Sequence, residues 1–299
     1  MRTDEFKILA QEICKANFHD RGLKCANLYT LETDFFAKLK EEVLQIPIKY
    51  KASDVTQQNH VTNWTKPEGV AVQFSLLNTS GDFHDTSTDH NFSVEGKKFH
   101  HASEFPTLAR FINAFPHATN FRLNGLGTKS KLSPHEEHII HEWNNIWYLR
   151  TRFHLAIQTN KSAEVLLDKD VYHFEPEKIY YFNNGCVHSA TNRGTDLRYH
   201  LVWDMLLTQE TFDLMFNSQI ESKLSFMRKT PPDQQQPTPV RRERITEYQI
   251  SGDGDKLYKK WNVSRYGIKP YTFNNFYNRY AYRKFQKDVF PRIVLAPVK

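Results

Sequence analysis

The chain has 299 residues, of which 39% are hydrophobic, with 22 Phe, 14 Tyr and three Cys. This composition argues against a disordered protein, and three cysteines without C-x-x-C spacing argue against a disulfide framework or a zinc ribbon. No window approaches the roughly 18 apolar residues that span a bilayer, so we expect a cytoplasmic protein with no membrane partner.

The formal net charge of +6 is concentrated in the C-terminal part of the chain. Residues 221–299 hold 17 Lys and Arg against 7 Asp and Glu, whereas the rest of the chain holds 23 against 27. A basic region of this kind either binds nucleic acid or forms a solvated face. We favour the solvated face and do not expect a nucleic-acid partner.

Apolar residues recur at helical spacing in three segments. They predict one helix over 3–17, a second after Thr33 and a third from Ser103 to Phe115, with Ser103 as its N-cap. Two polar segments between them, residues 82–85 and the pair His100–His101, are interpreted as loop residues and not as metal ligands.

Short strands dominate the middle of the chain. Strand-like runs lie at 69–74, 120–126, 129–132, 146–159, 164–167, 178–182, 186–191 and 197–206. Many short strands separated by turn residues predict a mainly β fold with flanking helices. Its core is predicted to be a double-stranded β-helix (jelly roll, cupin-like), followed by a C-terminal α-rich extension.

Composition divides the chain into three regions. Residues 1–65 form an N-terminal helical packing region, residues 66–208 the jelly-roll core, and residues 209–299 a basic and aromatic extension. A Pro/Gln-rich loop is predicted at 230–240. The aromatic residues of the extension are expected to pack as a cap or to form a homo-oligomer interface.

Two of the predicted strands collect polar residues on one side. Side chains two positions apart in a strand share a face. The shared faces hold Tyr148, Arg150, Arg152 and His154 in one strand, and Arg198, His200, Val202 and Asp204 in the other. The opposite faces are mostly apolar, so we expect a wet, charged pocket inside the barrel.

Two histidines and a carboxylate lie close to these strands in the chain. His135 and Glu137 form an H-x-E arrangement, and His188 follows from a strand near the end of the barrel. Such a set leaves coordination positions open on Fe(II) for a 2-oxo acid and dioxygen. Arg198 then suits the distal carboxylate of a dicarboxylate cosubstrate; the alternative is an internal salt bridge with Asp204 or Glu164.

Residues 121–207 resemble the aspartyl/asparaginyl beta-hydroxylase family of Fe(II)/2-oxoglutarate oxygenases, which includes free-amino-acid proline hydroxylases. The matching motifs occur in the family's order. They are Leu132-x-Pro134-His135, Arg152-x-His154, Phe182-Asn183-Asn184-x-x-x-His188, Asn192-Arg193-Gly194 and Arg198-x-His200-Leu201-Val202-x-Asp204.

The resemblance implies a role for each matching residue. His135 and His188 are implied iron ligands, and Arg198 is the implied partner of the distal carboxylate of 2-oxoglutarate. Arg152 and His154 are implied secondary cosubstrate contacts. Amino-acid-hydroxylating members carry a carboxylate two residues after the first histidine, usually Asp. Here it is Glu137, and in some members acting on proteins water completes the set instead.

The implied reaction is oxidative decarboxylation of 2-oxoglutarate coupled to hydroxylation of an unactivated C–H bond. The expected substrate is an amino acid or an amino-acid-like small molecule; the alternative is an Asp, Asn or Pro-type residue in a peptide or protein. A second alternative is a non-catalytic jelly-roll binding module. Residues 138–145 form an insert that is predicted to act as a substrate lid or a specificity loop. A zinc site of His135, His138 and His141 is a minor alternative, because the spacing is not H-E-x-x-H.

Overall fold

The structure is a computed structural model. It describes residues 3–19, 22–50, 71–137, 139–143, 146–222, 224–243, 249–250, 287 and 290–294. Most of the predicted α-rich extension lies outside these residues, as does the beginning of the predicted strand at 69–74.

The described elements are short strands with helices before, between and after them. The helices are α1 (Asp4–His19), α2 (Thr33–Lys49), α3 (Pro106–Ile112), α4 (Gln209–Met215) and α5 (Phe290–Val294), with a 3-10 turn at Pro232–Gln234. The strands of the first half are β1 (Cys25–Leu31), β2 (Ala71–Ser75), β3 (Thr119–Leu126), β4 (Ser130–Glu136) and β5 (Ile140–Trp143). Those that follow are β6 (Ile146–Gln158), β7 (Ala163–Leu167), β8 (Asp170–Tyr172), β9 (Lys178–Phe182), β10 (His188–Asn192), β11 (Arg198–Leu206), β12 (Met227–Lys229), β13 (Arg241–Arg242) and β14 (Gln249–Ile250).

The strands form two sheets, as the jelly-roll prediction requires. The larger sheet has the order β12-β1-β9-β6-β11-β3-β2, with β5 paired to the start of β6; the smaller sheet has the order β13-β8-β7-β10-β4-β14. Successive core strands cross between the two sheets, from β3 to β4, from β6 to β7 and from β9 through β10 to β11. The predicted mainly β fold with a double-stranded β-helix core is therefore confirmed.

The larger sheet has apolar side chains on its outer face, where the helices pack. Trp203 of β11 is fully buried there and stacks on Phe121 and Phe153, with ring centroids 5.1 and 5.6 Å away. The inner face packs against the smaller sheet through a second cluster that includes Ala156, Val165, Leu167, Tyr172, Phe174, Tyr180 and Phe182. Hydrophobic burial on both faces fixes the larger sheet as the rigid support for its inward-facing polar residues.

Helix α3 begins at Pro106, and its N-cap lies two residues after the predicted N-cap, Ser103. Its N-cap is Phe105, whose side chain caps nothing, and Pro106 occupies the first turn. The N-cap prediction was wrong because a residue that precedes proline is disfavoured in helical conformation, whereas proline suits the first helical position. Glu42 of α2 supplies the missing acceptor, since its carboxylate accepts from the backbone N–H groups of Thr107 at 3.0 Å and Leu108 at 2.8 Å.

The chain after the core returns to both sheets. β12 pairs with β1, β13 with β8 and β14 with β4. The Pro/Gln-rich loop at 230–240 contains the 3-10 turn and is held by a hydrogen bond from Asn27 N to Gln235 O at 2.7 Å. Among the described helices, none has the length and apolar character required to cross a membrane.

Candidate active site

The inner face of the larger sheet carries the charged side chains predicted from the alternation. Directly opposed residues of an antiparallel ladder share a face, and β6 and β11 pair Arg152 with Asp204 and His154 with Val202. All four are buried, as is Arg150, two residues before Arg152 in β6. Buried charges need partners, so their contacts decide what this pocket can bind.

Glu137, which follows β4, is the centre of a buried ion-pair network. Its Oε1 accepts from Arg152 Nη1 at 2.6 Å, and its Oε2 accepts from Arg150 Nη2 at 2.6 Å and from Arg152 Nη2 at 3.0 Å. Burial alone would raise the pKa of Glu137, but the two guanidinium groups outweigh it and hold that pKa well below its usual range. Glu137 is therefore an anion at neutral pH.

Asp204 closes the network from the opposite side. Its carboxylate accepts from Arg152 Nε at 2.7 Å, from Arg152 Nη2 at 3.1 Å and from Asn120 Nδ2 at 2.6 Å, and Arg150 Nη1 lies 3.7 Å away. Burial opposes ionisation of Asp204, yet Arg152 and Arg150 lower its pKa below the ordinary value. Arg152 thus bridges the carboxylates of Asp204 and Glu137.

His188 begins β10 next to this network. Its Nδ1 lies 2.9 Å from the carbonyl oxygen of Cys186, and a carbonyl can only accept, so Nδ1 carries a proton; in the neutral ring Nε2 then holds the lone pair. Nε2 lies 3.9 Å from Glu137 Oε1. A backbone carbonyl that fixes the tautomer in this way is typical of histidines that bind metal through the other nitrogen. The backbone register pairs His135 of β4 directly with His188.

The loop that leads to His188 is held by α1. Asn183 Nδ2 donates to the carbonyl oxygens of Ile13 at 3.0 Å and Leu23 at 3.1 Å. At Gly185, a Cβ atom would lie 2.4 Å from Asn17 Oδ1, far inside contact distance. Glycine allows α1 to approach this loop closely. The contact fixes the position of the loop and therefore of His188 at the start of β10.

Replacing Gly185 with alanine is therefore expected to lower the free energy of unfolding by about 1–3 kcal/mol, the usual cost of overpacking. It should also weaken divalent-metal affinity, since the loop carries the carbonyl of Cys186 that orients His188. Thermal melts and Mn(II) titration measure both effects. Adding Asn17→Ala removes the clashing oxygen and should recover part of the lost stability. A Gly185→Ala protein with the stability and the Mn(II) affinity of the parent would contradict the role of Gly185 in positioning the loop.

Arg198 and two histidines lie further along the inner face. Arg198 is buried, and its guanidinium contacts the ring nitrogens of His200 at 3.0 and 2.8 Å. A neutral imidazole has one accepting nitrogen, so one of these contacts at most is a hydrogen bond. Burial lowers the pKa of Arg198 to about 10. His154 is also buried, and neither of its ring nitrogens has a partner among the described residues.

Within the described part of the chain, Arg198 has no acidic partner. The acids proposed for an internal salt bridge are engaged elsewhere, since Asp204 pairs with Arg152 and Glu164 pairs with Arg241. Buried polar groups in native proteins are normally satisfied, and a lone guanidinium is costly to bury. The donors of Arg198 and the open nitrogens of His154 therefore indicate a place for a polar, anionic ligand.

The predicted lid is a β-hairpin arm beside the pocket. Within the insert 138–145, β5 pairs with the start of β6, so that His141 lies opposite Tyr148. The His141 ring packs edge-on against Phe92, with centroids 5.0 Å apart. Residues 138, 144 and 145 lie outside the described residues. The predicted lid function remains a prediction.

The polar loop residues set aside in the sequence have structural roles. His100 Nε2 lies 3.2 Å from Asn78 O, and His101 Nε2 lies 2.8 Å from Gly81 O. No group of three or more His, Cys, Asp or Glu side chains suited to a metal ion occurs among the described side chains, which do not include that of His135.

Sequence reasoning did not assign functions to Arg122 and Asn120. Both are buried on β3, and Asn120 donates to Asp204. The sequence does indicate that these residues face the interior of the barrel. Polar and apolar residues alternate over residues 120–124, as they do in β6 and β11.

Comparison with known proteins identifies the family. A family model described as aspartyl/asparaginyl beta-hydroxylase matches residues 40–207, more than half of the chain. No curated protein sequence matches the chain.

Among solved structures, AviO1 from Streptomyces viridochromogenes is 13% identical, with coverage of 66% of this chain and 93% of that one and a TM-score of 0.35. The collagen prolyl hydroxylase of Paramecium bursaria Chlorella virus-1 is 9% identical, with coverage of 59% and 94% and a TM-score of 0.31. A putative sugar phosphate isomerase from Acidithiobacillus ferrooxidans is 17% identical over 29% of this chain and 49% of its own length, with a TM-score of 0.22. All three TM-scores are below 0.5, so the assignment rests on the sequence match: the chain belongs to the aspartyl/asparaginyl beta-hydroxylase family.

Proposed function

We propose that the chain is an Fe(II)/2-oxoglutarate-dependent dioxygenase that hydroxylates an unactivated C–H bond. His135, His188 and Glu137 would hold the iron, and Arg198 would bind the distal carboxylate of 2-oxoglutarate. The observation that carries the proposal is the buried Arg198 guanidinium, which has no acidic partner among the described residues. It stands ten residues after His188, as the family resemblance leads one to expect.

The donor set fits Fe(II). His188 presents Nε2, and the register places His135 opposite it on the neighbouring strand. Histidine nitrogen and carboxylate oxygen suit a non-haem Fe(II) site that keeps positions open. When bound, iron supplies the activation of dioxygen. The protein would supply placement by buried side chains and surroundings that exclude water.

Glu137 has to change partners to act as a ligand. Both of its carboxylate oxygens are bound by Arg150 and Arg152 in this structure, although Oε1 is only 3.9 Å from His188 Nε2. The glutamate side chain is one methylene longer than aspartate and gives the carboxylate the reach to turn toward the metal. If it remains on the arginines, water completes the iron coordination instead.

Arg152 and His154 are proposed as further contacts of the cosubstrate. His154 is held neutral, since burial, followed by Arg152 and Arg198, lowers its pKa well below the usual value. A neutral ring has one donor and one acceptor to offer. The expected substrate is an amino acid or amino-acid-like molecule; the hairpin of β5 and β6 beside the pocket favours the alternative of a residue in a peptide or protein.

Turnover of 2-oxoglutarate tests the proposal. Purified protein with Fe(II) is expected to convert 2-oxoglutarate to succinate in a dioxygen-dependent reaction that free amino acids or short peptides stimulate. His188→Ala should lower turnover and Mn(II) affinity by at least about 100-fold, whereas His117→Ala, at an 82% exposed side chain, should change neither. Equal turnover by the parent and His188→Ala would contradict the iron site, and stimulation by peptides alone would select the peptide alternative.

A further inference from the structure

A second buried guanidinium lies on the same inner face, in β3. Arg122 pairs in register with Val202 on one side and Ser75 on the other. It is 7% exposed, it forms no hydrogen bond with any described residue, and its Nε is buried without a partner. An arginine side chain has five N–H donors, so leaving a guanidinium unbonded in a protein interior is costly.

The acids near Arg122 are already hydrogen-bonded to other groups. Asp89 accepts from Ser75 Oγ at 2.5 Å and from Gln73 Nε2 at 3.3 Å. Asp204 accepts from Arg152 and Asn120. These acids attract Arg122 electrostatically, while Arg152 repels it. Burial, followed by Arg152, outweighs the attraction of these acids and lowers the pKa of Arg122. Its guanidinium forms no hydrogen bond with a described residue, so its donors are available to a ligand.

The charges around Arg122 would be short of one anion once Glu137 turns toward the metal. Three arginines, Arg122, Arg150 and Arg152, share three carboxylates, those of Asp89, Glu137 and Asp204. Glu137 is also the carboxylate that the proposed function turns toward iron. When it does so, the three arginines keep two carboxylates between them, and a ligand with one carboxylate restores the balance.

The cosubstrate does not account for this site. One end of 2-oxoglutarate is assigned to the metal and the other to Arg198, so both of its carboxylates are in use. Arg198 and Val202, the register partner of Arg122, lie four residues apart on β11, or about 13 Å along the strand. His90, one residue after the buried Asp89, interacts electrostatically with Arg122.

We infer that Arg122 binds a carboxylate of the substrate, in a subsite between β3 and the loop that carries Asp89. This inference rests on the proposed function and specifies its substrate class: a carboxylic acid, either the α-carboxylate of a free amino acid or the side-chain carboxylate of an acidic residue in a peptide. A substrate whose carboxylates are replaced by amides would lose this contact, because an amide carries no negative charge.

Binding to the loaded protein tests the inference. Calorimetry with Mn(II) and saturating 2-oxoglutarate would compare three probes: free L-amino acids, their α-amides, and N-acetyl-aspartyl peptides with an amidated C-terminus. We expect a carboxylate probe to bind, its amide to bind at least 30-fold more weakly, and Arg122→Met to weaken the carboxylate probe by about 30-fold or more. The probe that binds shows whether the natural carboxylate belongs to a free amino acid or to an acidic residue of a peptide.

Several results would overturn the inference. One is that no carboxylate probe binds the loaded parent protein; another is that Arg122→Met binds carboxylate and amide as the parent does. The melting temperature of the ligand-free Arg122→Met protein should not fall, because no hydrogen bond of Arg122 is lost; a substantial fall would make Arg122 a structural residue.

Arg122→Lys, which keeps the charge, should recover part of the affinity. Affinity for 2-oxoglutarate should be unchanged in both variants, and absence of 2-oxoglutarate binding in the parent would instead contradict the proposed function.

Discussion

Replacing Arg198 with methionine is expected to weaken 2-oxoglutarate binding by about 30- to 4,000-fold. Removing one member of a buried charge pair costs about 2–5 kcal/mol, and each 1.4 kcal/mol is a factor of ten in affinity. Methionine keeps much of the length and apolar contact of arginine without the charge. Calorimetric titration of 2-oxoglutarate into the Mn(II) protein measures the effect.

The same substitution should leave the ligand-free protein at least as stable as the parent. Arg198 is a buried cation without an acidic partner in the described part of the chain, and replacing an uncompensated buried charge by an apolar side chain removes a desolvation cost. Arg193→Met is the matched control, because Arg193 is 61% exposed and only approaches Glu164 at 3.6 Å. A variant that melts far below the parent, or one that binds 2-oxoglutarate normally, would contradict the role of Arg198.

Replacing Asp204 with asparagine is expected to destabilise the protein by about 3–5 kcal/mol, because it leaves Arg152 and Arg150 buried with too little negative charge. For a domain of this size the melting temperature should fall by about 6–20 °C. Asp233→Asn, on an exposed 3-10 turn, serves as the control. A melting temperature within about 2 °C of the parent would show that Asp204 does not anchor the network.

Asp204 and Glu137 should also make the parent protein sensitive to acid. The folded pKa of each is held below its ordinary value by Arg152 and Arg150, against the effect of burial. The stabilisation is therefore complete above about pH 4, the ordinary carboxyl range, and is lost as the pH falls through the lower folded values. Asp204→Asn should lose less stability than the parent over this acidic range.

The inner and outer faces of the larger sheet were predictable from sequence. The alternation in β6 and β11 separates Arg152 and Asp204 from Phe153 and Trp203, and strand geometry turns that pattern directly into two faces. The first two helices were predictable for the same kind of reason, since their apolar residues recur at helical spacing. Periodicity is a local property, so one sequence suffices to see it.

The partners of the charged residues could not be predicted. Arg152 contacts Asp204 because β6 and β11 pair in one register. It contacts Glu137 because the end of β4 lies next to this part of β6. Register and sheet order depend on contacts between residues more than 50 positions apart, which local patterns do not encode. β1 was missed as a strand because Cys25–Leu31 is buried on both faces and shows little alternation.

Anaerobic crystals grown with Mn(II) and 2-oxoglutarate test the central claim most directly, since anomalous diffraction locates Mn(II) without ambiguity. The account predicts one metal peak bound by His135 and His188 Nε2, with 2-oxoglutarate on the metal and its distal carboxylate paired with Arg198. A metal peak away from these two histidines, or 2-oxoglutarate bound without Arg198, would contradict it.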